Sequence, residues 1–169
     1  MVRQVRAVRR WVGLGVLGVV VALTVSGCSW FGRDDDRSTT IEVLDAKKGD
    51  CFLAPAEITI EVTHLARVKC ETPHQQESYA LPTYVDPGTG KTPGRDNFPG
   101  DAALKSFADG TCAEKFQGYV GVDYRDSSLY FTYLVPSARS WQQDEDRTVV
   151  CFVTTTGQTL TKSVQNSEM

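Results

Sequence analysis

Apolar and polar residues alternate along IEVLD (41–45) and EITIEV (57–62), the period of strands with one face buried. ARVKC and ESYAL are shorter runs of the same kind, on either side of the turn ETPHQQ. Residues 82–99 hold four prolines and, with Gly100, four glycines, so this stretch reads as loop. Beyond Pro99 the period changes. Ala103, Leu104, Phe107, Ala108, Cys112, Phe116 and Tyr119 recur every three or four positions, one stripe of an amphipathic helix. Pro99 fits just before or at its first turn, and Asp101 puts a negative charge near the positive end of the helix dipole. Gly110 costs about 1 kcal/mol inside such a helix relative to alanine, which leaves room for a kink or break near Asp109–Gly110. LYFTYLV (129–135) and RTVVCFV (147–153) are the strongest strand signals. The pattern predicts an α+β fold: a small antiparallel sheet with one main amphipathic helix across one face.

The front of the chain follows a different pattern. Arg3, Arg6, Arg9 and Arg10 precede 15 apolar or small residues, Trp11–Val25, with three glycines among them. That is short of the roughly 20 residues a spanning helix needs and suits the apolar core of a secretory signal. Val25-Ser26-Gly27-Cys28 then resembles a bacterial lipobox, in which the Cys28 thiol is diacylglycerated and the peptide is cut before it. The sequence therefore divides into a lipoprotein signal peptide (1–27), an acidic tether (28–40), a domain (41–165) and a C-terminal tail (166–169). The tether, with Asp34, Asp35 and Asp36 in a row, is too polar to fold alone. Removing the leader's four arginines leaves 14 basic against 21 acidic residues, a net charge of −7. Such a surface has no electrostatic reason to bind nucleic acid or anionic headgroups. Membrane attachment falls to acyl chains at Cys28, each buried methylene contributing roughly 0.8 kcal/mol. The expected location is the outer face of the cytoplasmic membrane.

Four cysteines follow Cys28: Cys51, Cys70, Cys112 and Cys151. An even number in an exported chain, with no CxxC pair and no zinc-like spacing, reads as two disulfides. Three pairings are open. Cys51 and Cys70 flank two apolar runs that can pair as strands, while Cys112 lies on the helix stripe and Cys151 is central in the last strand. This favours Cys51–Cys70 and Cys112–Cys151, each stabilising by roughly 3 to 4 kcal/mol in the chain-entropy account.

Candidate chemistry centres on CETPHQQE (70–77). His74 and Glu77 are the side chains a catalytic or metal reading must use, and His64 and His74 are the chain's two histidines. Histidines ten apart, in a strand and a turn, lack the one-face geometry of a helical HExxH site. Ser78, Ser127 and Ser128 stand in no nucleophile elbow, and Asp144, Glu145 and Asp146 read as a solvated loop. The alternative is structural: Pro73 rigidifies the turn, and His74 donates to a backbone carbonyl or to Glu77. Tyr124, Tyr130, Phe131 and Tyr133 offer a further ligand-binding reading, against which strand alternation would bury half of them. No residue pattern here asks for a metal or a cofactor.

The assembled pieces resemble the septum-formation-related domain family of actinobacterial envelope proteins. They are GDCF (49–52), V-x-C-x2-PH-x2-E (Val68–Glu77), FPGDAALKSFADGTC (98–112), FQGYVG, PSARSW (136–141) and DRTVVC (146–151). Where the family usually carries a glycine between the tryptophan and Asp-Arg, this chain has the slightly longer QQDE. The resemblance implies a secreted or membrane-attached module with no catalytic residues to carry over, and Trp141 and the cysteines as packing and stapling elements. The sequence thus predicts a lipid-anchored, non-enzymatic envelope domain that binds another envelope protein or a cell-wall component. The alternative is an envelope hydrolase or metal-dependent enzyme using His74 and Glu77. Pro73, His74, Glu77 and Trp141 form a structural turn or an interaction site.

Overall fold

A computed structural model of the chain describes residues 38–55 and 61–169. The leader, Cys28, most of the tether and most of the predicted strand EITIEV lie outside the described residues. Six strands and two helices follow: β1 (Thr39–Glu42), β2 (Cys51–Phe52), β3 (His64–Val68), β4 (Gln76–Ala80), α1 (Asp101–Val120), β5 (Tyr130–Leu134), α2 (Ala138–Gln143) and β6 (Val150–Thr154). The strands form one sheet in the order β1-β3-β2-β4-β6-β5, every neighbouring pair antiparallel. The predicted α+β architecture is the one observed.

Alternation along β6 assigns the two faces. Val149, Cys151 and Val153 turn toward α1 and pack with its Ala108, Cys112, Phe116 and Tyr119. Val150 and Phe152 turn the other way, onto Phe52 and Leu65. Phe52 meets Phe152 edge to face, ring centres 5.7 Å apart. Ile41 of β1 and Leu134 of β5 pack against this second cluster although their strands are the two ends of the sheet. The sheet therefore curls around a core of its own, with α1 on its outer face, as a barrel that stops short of closing. Glu61, just before β3, bridges the gap by accepting from Ser137 Oγ at 2.6 Å and from Arg139 Nε at 3.2 Å, at the start of α2.

Both disulfides have the favoured pairing. Cys51–Cys70 ties β2 to the turn after β3, and Cys112–Cys151 ties α1 to β6. Helix α1 runs unbroken through Gly110, where an added Cβ would meet nothing within 4 Å. Its end is set by Gly121, in the left-handed region at φ 100°, whose N–H donates to the Gln117 carbonyl.

One expected strand is shorter in the structure, and two elements are ones the pattern does not predict. The run IEVLD is a strand only to Glu42, because Val43–Asp45 tightens into a 3-10 turn. Residues 51–52 are a strand that a two-residue apolar run does not announce. The segment ARSWQQ is a helix capped by its own residues: Ser137 Oγ accepts from Ser140 N–H at 2.9 Å, and Ser137 N–H donates to Ser140 Oγ at 3.0 Å.

Candidate functional site

The turn CETPHQQE brings His74 and Glu77 to the helix-facing side of the sheet. Glu77 in β4 is held between Cys51 of β2 and Val153 of β6, and its side chain lies wholly inside, with no exposed surface. A buried carboxylate is costly unless donors surround it. Three do: the Tyr119 hydroxyl from the last turn of α1, Ser163 Oγ at 2.6 Å and the Val164 N–H at 2.8 Å. Burial, then the contact with Glu77, pushes the Tyr119 phenol well above its usual range, so it stays a neutral donor.

His74 has no exposed surface either. Its Nδ1 is 2.8 Å from the Thr72 carbonyl and donates to it, which fixes that tautomer in the neutral ring. Its backbone exchanges two hydrogen bonds with Leu160, N–H to carbonyl at 2.9 Å and back at 2.8 Å. These bonds draw the C-terminal segment over the sheet and deliver Ser163 and Val164 to Glu77. The remaining ring nitrogen, Nε2, is buried without a hydrogen-bond partner among the described residues.

Ligand atoms of Cys51, His74 and Glu77 fall within 4.8 Å of one another. The donor set does not fit an ion in this oxidised chain. Cys51 sulfur is bonded to Cys70 and is no thiolate, and Glu77 already accepts from three donors. The geometry is that of a tie between sheet, helix and C-terminal segment. Sequence reasoning singled out His74 and Glu77 but not the donors that complete the tie. Tyr119 looked like one more residue of the apolar stripe, and Ser163 lies in a polar run with no local signal.

The other candidates are dispersed. His64 is exposed, its ring Nδ1 2.8 Å from Thr63 Oγ1, and does not join His74. Pro73 is exposed at the tip of the turn. Trp141 is fully buried, packed edge-on to Tyr84 and Phe98, with the Arg147 guanidinium 3.7 Å from its ring centre. Its indole N–H donates to the Gly94 carbonyl at 3.1 Å, so Trp141 packs the long loop rather than meeting a partner. The four aromatics make no common surface: Phe131 and Tyr133 pack against the helix core, while Tyr130 is exposed and neighbours them at an odd spacing. Tyr124 meets Phe131 edge-on at 5.3 Å. Asp144 and Glu145 are solvated as expected, but Asp146 is not. It is buried and accepts from Thr148 N–H at 2.9 Å and Ser140 Oγ at 3.2 Å, because the turn out of α2 folds back over it. Glu145, in the stretch where the resemblance expects glycine, adopts a left-handed φ of 54°.

The described residues thus form an open-barrel α+β domain stapled by two disulfides, with His74 and Glu77 buried inside it. The septum formation family matches residues 48–168, and the chain belongs to that family. No curated protein and no solved structure matches it. Membership supports a septum-related role in the cell envelope. Among the described residues, no helix is long and apolar enough to cross a membrane.

Proposed function

We propose that this chain is a lipid-anchored, non-enzymatic module of the cell envelope, attached through acyl chains at Cys28, that binds another envelope protein or a cell-wall component. One observation carries the non-enzymatic part. The two side chains best suited to chemistry, His74 and Glu77, have no exposed surface, and the carboxylate is committed to three internal donors. A reactant would have to displace the C-terminal segment to reach either. Attachment rests on the Val-Ser-Gly-Cys leader and the acidic linker behind it.

The test has two arms. Cys28→Ala should lose the lipid-labelled band and release the chain from detergent-requiring membrane fractions; unchanged attachment without loss of label would defeat the anchor. Photocrosslinking in dividing and non-dividing cells should recover a discrete envelope partner. Release of soluble fragments from purified wall material by the purified chain, abolished by Glu77→Gln in a variant that still folds, would favour the hydrolase reading instead.

A further inference from the structure

The unclosed seam of the barrel is a cleft of about 960 Å³, inside the range of roughly 300–1,000 Å³ typical of binding sites. One wall is the end of β1 and the residues leading into β3; the other is the end of β5, Tyr133 and Leu134, with the residues that follow it into α2. Among the described residues, strand β5 pairs with β6 alone. Its outer edge therefore offers unpaired backbone donors and acceptors. Proteins usually blunt such an edge with lysine, proline or a bulge, and Tyr130–Leu134 contains neither residue and pairs with β6 in unbroken register.

Charge selects what fits beside that edge. Glu42, Asp101 and Asp144 line the cleft, are exposed and make no salt bridge among the described residues. Arg139, the guanidinium among the described lining residues, is engaged by Glu61 at 3.2 Å and also feels the Asp144 charge. What remains is an acidic slot beside the end of a bare strand edge, lined also by Leu134 and Val43.

We propose that this seam is a strand-accepting site for an extended cationic segment of a partner protein, with lysine or arginine at alternate positions. Backbone groups of the segment pair with the outer edge of β5. The basic set of its side chains enters the slot toward Glu42, Asp101 and Asp144, and the alternate set points the other way. The inference rests on the binding reading above and names the partner's chemistry.

The experiment uses the full chain in detergent and fluorescent eight-residue peptides with blocked ends. An alternating Lys-Val peptide should bind, measured by anisotropy, with affinity falling as salt rises. An alternating Glu-Val peptide should not bind, nor should a Lys peptide with proline at the alternate positions, which cannot form the ladder. Replacing Glu42→Gln, Asp101→Asn and Asp144→Asn together should weaken binding by about tenfold. Amides within Tyr130–Leu134 should gain protection from hydrogen exchange when the peptide is bound.

The proposal is overturned if the Lys-Val peptide fails to bind, if the proline peptide binds as well, or if the triple variant loses nothing. It is overturned equally if the chain self-associates through β5 and excludes the peptide. A failure here while crosslinking still recovers a partner removes the seam and leaves the binding module standing; failure of both removes both.

Discussion

Glu77 is a residue whose environment decides its role. A carboxylate without solvent must be satisfied by the protein, and here the donors come from a helix and from a segment more than eighty positions downstream. Tyr119→Phe removes the hydroxyl and little else, so the change should cost about 1.5–3 kcal/mol, the range for a hydrogen bond to a charged group. Urea unfolding measures it, and a cost near zero would mean the carboxylate is not held as described. Asp146 gives a pH dependence of definite sign. Burial raises its pKa above the ordinary carboxylate value, against weaker opposing contacts from Thr148, Ser140 and Arg147. The folded state then binds the proton more tightly than the unfolded one. Its contribution to stability therefore declines as pH rises from about 4 through the raised value, and levels off above it. Asp109 and Asp123 act in the opposite sense, lowered chiefly by the Tyr133 and Arg125 hydrogen bonds respectively, and lose their contribution as pH falls. Comparing Asp146→Asn with the parent across pH 4 to 7, by the same urea series, cancels those terms. The variant should gain stability relative to the parent as pH rises; a flat difference would show that Asp146 titrates normally.

At the scale of elements, α1 illustrates how much local pattern decides. Its apolar stripe fixes the buried face, so Leu104, Ala108, Cys112, Phe116 and Tyr119 are inside as the spacing predicts. Gly110 sits on the solvent side, and packing along twenty residues carries the helix through it without a break. Gly110→Ala should therefore stabilise the domain by about 0.5–1 kcal/mol, read as a raised thermal midpoint. A loss would mean the position is strained in a way the open space around it denies. The long strands β5 and β6, the helix and the disulfide partners were legible because each is announced by periodicity or by cysteine arithmetic. Strand β2 was not, since two residues between Asp50 and Leu53 carry no period, and only its neighbours β3 and β4 make Cys51–Phe52 a strand. Helix α2 was missed for a related reason: six residues with one buried tryptophan leave no stripe, although the Ser137–Ser140 cap was present in the letters. For the site, the turn with His74 and Glu77 was visible as a cluster. Its completion depends on a contact with residues 160–164 that only tertiary structure specifies.

At the largest scale described, the domain is a curled sheet whose two faces are closed by different means. The inner face closes on itself through Phe52, Leu65, Val150 and Phe152, and the outer face needs both α1 and the C-terminal segment. Leu160 and Val164 enter the outer core, while Asn166 N–H and Glu168 N–H donate to the Tyr119 and Val120 carbonyls at 2.8 and 2.9 Å, satisfying the end of α1. Two truncations separate these contributions. Ending the chain after Gln165 removes the helix-end bonds, the Ser167 N–H bond to the Val164 carbonyl and the Ser127 hydroxyl bond to the Met169 carbonyl, and should cost roughly 1–2 kcal/mol. Ending it after Thr159 also removes two buried apolar side chains, at about 1.5–3 kcal/mol each, and strips Glu77 of Ser163 and Val164. Against a total of about 5–15 kcal/mol for a domain of this size, the longer deletion should leave a chain held mainly by its disulfides, with a low thermal midpoint that collapses on reduction. If the two truncated chains melt at the same temperature, the segment does not close the outer face, and the burial of His74 and Glu77 would need another cause.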